Sequence, residues 1–200
     1  MKQYYISKNK GGCGPSTFIN LIGLKGSKKL EKKISDLGRL HPFFANDYTS
    51  FLIWGREYNK NIIVYVTSKT LNKKMIKFMA KYEGISKNKL EKYEYKVRKR
   101  HNKLNKIFSN KINLIKNPMK KLNQLLNENH KVAFLVSDFY FNKNKLYAPH
   151  WVLIIKKINN KYKIIDPTKG LIYLTKNDII KGLKLNKKIG FNAQLIISTK

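Results

Sequence analysis

The chain has 200 residues, 42% of them hydrophobic, so it can bury one good core but is short for two. With 43 lysine and arginine residues against 11 acidic ones, its formal net charge is +32, which favours anionic partners and disfavours cationic ones. The single cysteine excludes an internal disulfide, and because no apolar run approaches about 18 residues and the N-terminus is polar, we expect a soluble cytoplasmic protein without a transmembrane segment.

The basic composition has two readings that the sequence leaves open. Only four of the basic residues are arginine, whereas specific phosphate recognition favours the bidentate arginine fork. A general bias toward lysine therefore explains the charge as well as a dedicated binding patch does.

The first predicted elements are an extended segment and a helix. Residues 3–6 are predicted to be extended and to lead into a glycine-containing turn. A helix is predicted to begin near Pro15, because proline is favoured in a first helical turn, where its missing N–H has no partner to lose. Apolar residues at helical spacing follow, and we expect the helix to end at Gly23 or Gly26.

The middle of the chain is predicted to be largely helical. Helices are expected at residues 30–37 and 47–58, and the β-branched run 62–66 predicts a strand. The stretch 71–126 is helical by composition and carries the densest basic run, at residues 87–106. We therefore predict a Lys-rich helical insertion at 71–126.

The C-terminal third is predicted to form strands separated by turn residues. Helices first and an antiparallel sheet last is an α+β layout, which we predict for a single domain spanning residues 1–200. The four strand candidates are residues 132–136, 150–155, 162–166 and 194–197.

Cys13 is the first candidate for a chemical role. It lies at the start of the predicted helix, where free N–H groups and the helix dipole stabilise a thiolate. Gly12 and Gly14 flank it, so a substrate carbonyl can approach and backbone N–H groups can face a developing oxyanion. The alternative is a small buried cysteine without chemistry.

A thiol nucleophile needs a base, and histidine is the residue that can both accept and return a proton near neutral pH. Three of the four histidines, His41, His101 and His130, lie in positions typical of surface or capping residues. His150 instead opens a strongly apolar strand. We therefore predict His150 as the base, with a buried structural histidine as the alternative.

Asp166 is the candidate that orients the imidazole of His150. In the predicted strand it shares a face with Tyr162 and Ile164, which is the less charged and therefore inward face. An inward carboxylate needs a partner. Alternatively, Asp166 serves only to form the turn with Pro167.

The register of the predicted hairpin decides whether His150 and Asp166 share a face. A two-residue turn at Asn159 and Asn160 pairs Ile158 with Lys161 and puts Asp166 on the face opposite His150, an outcome that would exclude the triad. A three-residue loop with a bulge restores the same face. We predict the longer loop.

Three motifs, taken together, resemble a known family. They are the Cys-Gly-Pro-Ser run beginning at Cys13, the His-Trp-Val run beginning at His150, and Asp166-Pro167 with Gly170. This pattern is similar to that of papain-like cysteine peptidases of the C39 type and their C39-like relatives. The resemblance implies a papain-like fold and a catalytic triad of Cys13, His150 and Asp166. Residues 71–126 lie largely outside the part of the chain that resembles the family.

The chain departs from this family at the oxyanion hole. The family usually has a glutamine about half a dozen residues before the cysteine, where this chain has Ser7. Gln3 and Asn9 are the candidates to take its place. C39 peptidases proper resemble transporter-fused modules that cut double-glycine leaders, and a free-standing relative is the closer analogy.

The function predicted from these residues is a thiol hydrolase acting on a peptide or isopeptide bond in a peptide or protein substrate. One alternative is an acyltransferase or transpeptidase using the same acyl-enzyme. Another is an inactive papain-like fold whose basic helical region binds nucleic acid, an anionic surface or an acidic partner. Because the sequence lacks zinc-ligand spacing and a phosphate-binding loop, we predict no cofactor and no metal.

Overall fold

The computed structural model describes residues 4–9, 11–38, 46–138 and 148–199. The described helices are α1 (Cys13–Ile22), α2 (Lys28–Gly38), α3 (Tyr48–Glu57), α4 (Lys73–Tyr82), α5 (Leu90–Ile107), α6 (Pro118–Asn127) and α7 (Lys176–Lys188). The strands are β1 (Asn61–Val66), β2 (Ile112–Leu114), β3 (Val132–Ser137), β4 (Pro149–Ile158), β5 (Lys161–Asp166), β6 (Gly170–Thr175) and β7 (Gln194–Thr199).

All seven strands form one sheet in the order β2-β1-β7-β3-β4-β5-β6. β1 and β2 run parallel, and each of the other neighbouring pairs is antiparallel. The central strand β3 is buried along its whole length. Strands β3, β4 and β5 therefore give the site a rigid support.

Helices cover both faces of the sheet, and the alternation of side chains along β3 shows how. Ala133 and Leu135 join the core formed with α1 to α5. Val132, Phe134 and Val136 join a second core formed with α6 and α7. The molecule is thus a sheet between two helical layers, and the predicted α+β class is confirmed at this level.

Helix α1 begins two residues earlier than the sequence predicts, at Cys13, and ends at Ile22 with Gly23 as its C-terminal cap. Gly23 has φ of 74°, a left-handed conformation that costs glycine little and closes a helix. Thr17 Oγ1 donates to the Trp151 carbonyl at 3.2 Å. This bond ties the helix that carries Cys13 to the strand that carries His150.

The β4 and β5 hairpin corrects the prediction of a three-residue loop. Its turn has two residues, with Asn159 at φ of 51°, and Ile158 pairs with Lys161. The bulge lies instead inside β4, where Ile154 pairs with Ile164 and the next pair skips Ile155. The extra residue shifts the alternation of β4 by one, so the β4 residues on the far side of the bulge from the turn change face relative to β5. His150 and Asp166 therefore share a face despite the short turn.

Three described elements were not predicted: β2, β6 and α7. β2 has only three residues, and β6 is half-exposed, with Leu171 and Tyr173 each 50% accessible. Helix α7 is rich in lysine, but its start has a sequence signal. Thr175 and Asp178 form a capping box, in which each side chain accepts from the other residue's backbone N–H.

The stretch 71–126 comprises α4, α5, β2 and α6 with two short 3₁₀ turns. Helix α5 buries Tyr93, Val97 and His101, spaced four residues apart, while all five of its lysines are exposed. No described helix combines the length and apolar composition needed to cross a bilayer.

The expectation that His101 is a surface or capping residue is wrong. Its side chain is 1% exposed, and its Nε2 lies 3.2 Å from Oδ2 of the buried Asp47. His130 is half-buried beside Glu128. His41 lies outside the described residues.

Candidate active site

Cys13 is the first residue of α1, at the end of the helix where N–H groups have no intrahelical partner. The residue is partly exposed. His150 and the backbone N–H groups of Trp151 and Gly14 are the neighbours that act on its thiol and favour the thiolate. The sulfur therefore sits among donors.

These donors change the acidity of the thiol. Burial raises the pKa of Cys13, but the hydrogen bond and positive charge of His150, aided by the two backbone N–H groups, outweigh burial. The net effect lowers the pKa of the thiol from its ordinary value of 9.0. The site thus favours a thiolate paired with an imidazolium.

His150 lies near the beginning of β4, opposite Val136 of β3. Its Nε2 is 2.8 Å from Asp166 Oδ2. Burial lowers the pKa of His150, yet the hydrogen bonds and charges of Asp166 and Cys13 raise it overall to about 10. The imidazole therefore holds its proton between two partners that both stabilise the charged form.

Asp166 ends β5 and is fully buried. While Oδ2 contacts His150, Oδ1 accepts the N–H of Thr168 at 2.7 Å, its hydroxyl at 2.6 Å and the N–H of Lys169 at 2.9 Å. Burial raises the pKa of Asp166, but the bonds from His150 and Thr168 lower it to about 2. The carboxylate thus forms the turn with one oxygen and holds the imidazole with the other, so the two interpretations from the sequence are compatible.

The contact between His150 and Asp166 follows from the register of β4 and β5. The last β4 and β5 ladder pair is Leu153 with Ile165, so the next position puts Asp166 beside Val152. His150 is two residues further along the same face. The hydrogen bond between them therefore spans the end of the sheet, beyond the last pair of the ladder.

A buried carboxylate that the sequence did not single out supports the segment before Cys13. Glu31 of α2 is fully buried and accepts the Tyr5 hydroxyl at 2.7 Å and the Lys8 N–H at 2.9 Å. The Ser7 hydroxyl also donates to it. A Cβ on Gly12 would lie 1.7 Å from Glu31 Oε1, so a larger residue next to Cys13 would displace the Glu31 carboxylate from its partners.

Glu31 had a sequence signal. It lies in phase with Ile34 and Gly38, the other buried residues of α2, at spacings of three and seven. A carboxylate on the buried stripe of a helix needs donors, and here they come from the N-terminal segment. That segment is also tied to the turn after β5, because the Ser7 N–H donates to the Pro167 carbonyl at 2.7 Å.

The residues considered as oxyanion donors differ in their positions and hydrogen-bond partners. Ser7, at the position of the family's glutamine, gives its hydroxyl to Glu31. Asn9 lines the cavity beside Cys13, and its Nδ2 makes only a long contact, 3.4 Å, with the Lys28 carbonyl. Gln3 lies outside the described residues.

Within the described ranges, no cluster of three or more histidine, cysteine or acidic side chains could hold a metal ion.

Comparisons with known proteins add evidence on the fold. No protein-family model matches the chain, and no curated protein is significantly similar to it. The structure is similar to the crystal structure of a candidate C39-like peptidase from Bacillus anthracis, with a TM-score of 0.51 and 9% sequence identity. The alignment covers 100% of this chain and 96% of the other. At this identity the similarity shows the fold, and it confirms the papain-like α+β class.

Proposed function

We propose that the protein is a thiol hydrolase that cleaves a peptide or isopeptide bond with Cys13, His150 and Asp166. The observation that carries the proposal is that Cys13 and His150 line the same cavity while His150 Nε2 lies 2.8 Å from Asp166 Oδ2. The lowered pKa of the thiol, caused by His150, agrees with it. The similarity in fold to a candidate peptidase supports it.

In the first half-reaction, the Cys13 thiolate attacks the scissile carbonyl and forms the carbon–sulfur bond of a tetrahedral intermediate. Because Nε2 of His150 faces Asp166, Nδ1 is the ring nitrogen that serves the thiol. The proton on His150 Nδ1 passes to the leaving amine as the carbon–nitrogen bond breaks. The product is a thioester on Cys13.

In the second half-reaction, His150 accepts a proton from water, which attacks the thioester and releases the acid and the free thiolate–imidazolium pair. Asp166 acts throughout as a positioning residue, since both of its oxygens are fixed. An amine in place of water would yield acyl transfer, and the products would reveal it.

We propose the Cys13 N–H and the Asn9 amide as oxyanion donors. The N–H at the first position of a helix has no intrahelical partner. The Asn9 amide carries two hydrogens, only one of which is directed at Lys28. Glu31 supports this arrangement by holding the loop that carries Ser7 and Lys8.

The test is cleavage of a proteome-derived peptide library, read by mass spectrometry of new N-termini. We expect cleavages with the wild-type protein and none with Cys13→Ser, at equal concentration and with matched thermal melting. Equal cleavage by both proteins, or none by either, would contradict the proposal.

A second candidate function rests on a separate surface. Helix α5 exposes a stripe of lysines, called here the α5 lysine stripe, at spacings of four, three, four and three residues, which follow one side of a helix. Such a stripe can track the phosphates of a nucleic acid. The stripe consists of Lys92, Lys96, Lys99, Lys103 and Lys106.

Salt dependence of binding tests this candidate. Fluorescence anisotropy with a labelled 20-mer should show affinity falling with salt, and glutamine at four stripe lysines should flatten the logarithmic slope by up to about 0.7–0.9 per lysine. The control has glutamine in place of four exposed lysines of α7, which gives the same change of net charge. These are Lys181, Lys184, Lys187 and Lys188. An equal effect of both replacements would show that binding reflects net charge alone and would contradict a dedicated site.

A further inference from the structure

A cavity of about 320 Å³ opens beside the Cys13 thiol, and its lining is partly polar and partly apolar. The polar part includes Cys13, His150 and Asn9, which belong to the site described above, and also Asp138. The apolar part, called here the apolar wall, comes mainly from outside the elements that position the triad. It consists of Phe78, Met79 and Tyr82 of α4, with Leu135, Trp151 and Phe191.

The aromatic part of this wall is packed in a defined order. Phe78 stacks on Tyr82 with ring centroids 6.5 Å apart and planes 14° apart, and Phe191 meets Phe78 edge-on at 6.1 Å. The turn before Phe191 packs tightly on α4, because a Cβ on Gly190 would lie 2.5 Å from the Met75 nitrogen. The position of Phe191 relative to α4 is therefore fixed.

Tyr82 is the outermost member of the wall and is 65% exposed. It lies on a helix whose other exposed residues are mainly lysines. A large exposed aromatic that continues a buried apolar surface into a cleft provides area for a ligand to cover. This surface is continuous with the thiol, so its occupant is the molecule on which the thiol acts.

We propose that this wall is a subsite for a large apolar side chain, aromatic or branched aliphatic, in the acyl part of the substrate. The inference rests on the proposed function of Cys13. The acyl part stays bonded to Cys13 through both half-reactions, so it is the part that a cavity opening on the sulfur holds throughout. The volume lies at the lower end of ligand pockets and suits one large side chain with its backbone.

The same wall disfavours two other kinds of residue. A double-glycine substrate, the kind cut by C39 peptidases proper, has no side chain to cover the apolar surface, which would stay exposed to water. A negatively charged side chain would be desolvated against aromatic rings and would meet the acidic Asp138, which also lines the cavity. We therefore expect a preference of about 10- to 100-fold for phenylalanine or leucine over glycine.

The experiment compares peptidyl chloromethyl ketones in which both residues before the reactive group are phenylalanine, leucine, glycine or glutamate, and which are otherwise identical. Inactivation rates are divided by the iodoacetamide alkylation rate of the same protein, so the ratio reports recognition and the iodoacetamide rate reports the thiolate. We expect the phenylalanine and leucine ratios to exceed the glycine ratio by about 10- to 100-fold.

Tyr82→Ala should reduce this preference about 3- to 10-fold. Tyr95→Ala is the matched control, because Tyr95 of α5 is 64% exposed and lies outside the cavity lining. Glycine or glutamate ratios equal to the phenylalanine ratio, or equal effects of the two variants, would overturn the subsite while leaving the thiolate intact. Slow iodoacetamide alkylation of Cys13 would instead contradict the proposed function.

Discussion

The described part of the chain contains two buried pairs of histidine and aspartate, and only one of them adjoins a nucleophile. In the first pair, His150 Nε2 lies 2.8 Å from Asp166 and the ring also contacts the Cys13 thiol. In the second pair, His101 Nε2 lies 3.2 Å from Asp47, and Nδ1 lies 3.1 Å from the Asn105 amide nitrogen.

The carboxylates of the two pairs are held in the same way. Asp166 Oδ1 accepts the N–H and hydroxyl of Thr168, two residues later, and Asp47 Oδ1 accepts the N–H and hydroxyl of Thr49, also two residues later. Both carboxyl groups have a lowered pKa, because the bonds from histidine and threonine outweigh burial. A fixed carboxylate beside a histidine is therefore not sufficient to define an active site.

The pairs differ in what the far side of the imidazole meets. His150 meets a thiol that lines a cavity, whereas His101 is enclosed by Tyr48 and Asn105, with its ring edge-on to Tyr48. The second pair ties α5 to the N-terminal cap of α3. We therefore assign chemistry to the first pair and stability to the second.

The largest expected effect separates the two histidines. His150→Gln should lower kcat/KM for peptide cleavage by about 10³-fold or more, because the proton shuttle and the thiolate's counter-ion are both lost. His101→Gln should leave kcat/KM of the folded protein within about threefold but lower the free energy of unfolding by about 3–5 kcal/mol. Steady-state kinetics and urea denaturation of both variants measure this, and equal kinetic losses would erase the distinction.

The next effect separates the two carboxylates. Asp166→Asn should reduce kcat/KM by about 10²- to 10⁴-fold, since an amide cannot stabilise the imidazolium and favours the wrong tautomer. Asp47→Asn should act on stability alone. Steady-state kinetics and urea denaturation of both variants measure this. Wild-type kinetics in Asp166→Asn would show that Asp166 has no role in the mechanism.

A smaller effect concerns the support of the site. In Glu31→Gln, the amide cannot accept all three donors, so the free energy of unfolding should fall by about 1–3 kcal/mol. Displacement of the segment before Cys13 should lower kcat about 10-fold with little change in KM. Glu91→Gln, at an exposed position of α5, is the matched control. Unchanged kcat in Glu31→Gln would limit Glu31 to a role in folding.

The smallest effect is on stability in acid. The pKa of Asp166 is about 2 in the folded protein against 3.8 ordinarily, so it contributes stability above pH 4 that is lost as pH falls through 2. The loss amounts to ~2 kcal/mol between pH 5 and pH 2. Urea denaturation across this range should show a smaller loss for Asp166→Asn than for the wild type, and an equal loss would contradict the depressed pKa.

The sequence was informative where local chemistry dominates. Pro15 predicts a helix start within two residues of Cys13, and the apolar strand after His150 predicts a rigid position for the imidazole. The hairpin shows the limit of this reasoning. Turn length could be weighed from Asn159 and Asn160, but a bulge at Ile155 depends on how β4 packs on both cores, which no local signal records.

Other features were missed because their cause is tertiary. His101 resembles its neighbours in a basic run, and only the packing of α5 on α3 buries it against Asp47. Likewise, the apolar positions of α4 predict a buried face but not that Phe78 and Tyr82 reach the cavity at Cys13. Contacts between residues far apart in sequence decide these features.

The most direct test of the central claim is the pH dependence of Cys13 alkylation by iodoacetamide, with the site of modification mapped by mass spectrometry. The lowered pKa of Cys13 predicts that the midpoint of the alkylation profile lies below 9 in the wild type, while His150→Gln moves this midpoint up toward 9 or above. In the wild type, peptide cleavage should also decline as pH rises through about 10, where His150 loses its proton. An alkylation profile that is the same in both proteins, with its midpoint at or above 9, would contradict the thiolate–imidazolium pair.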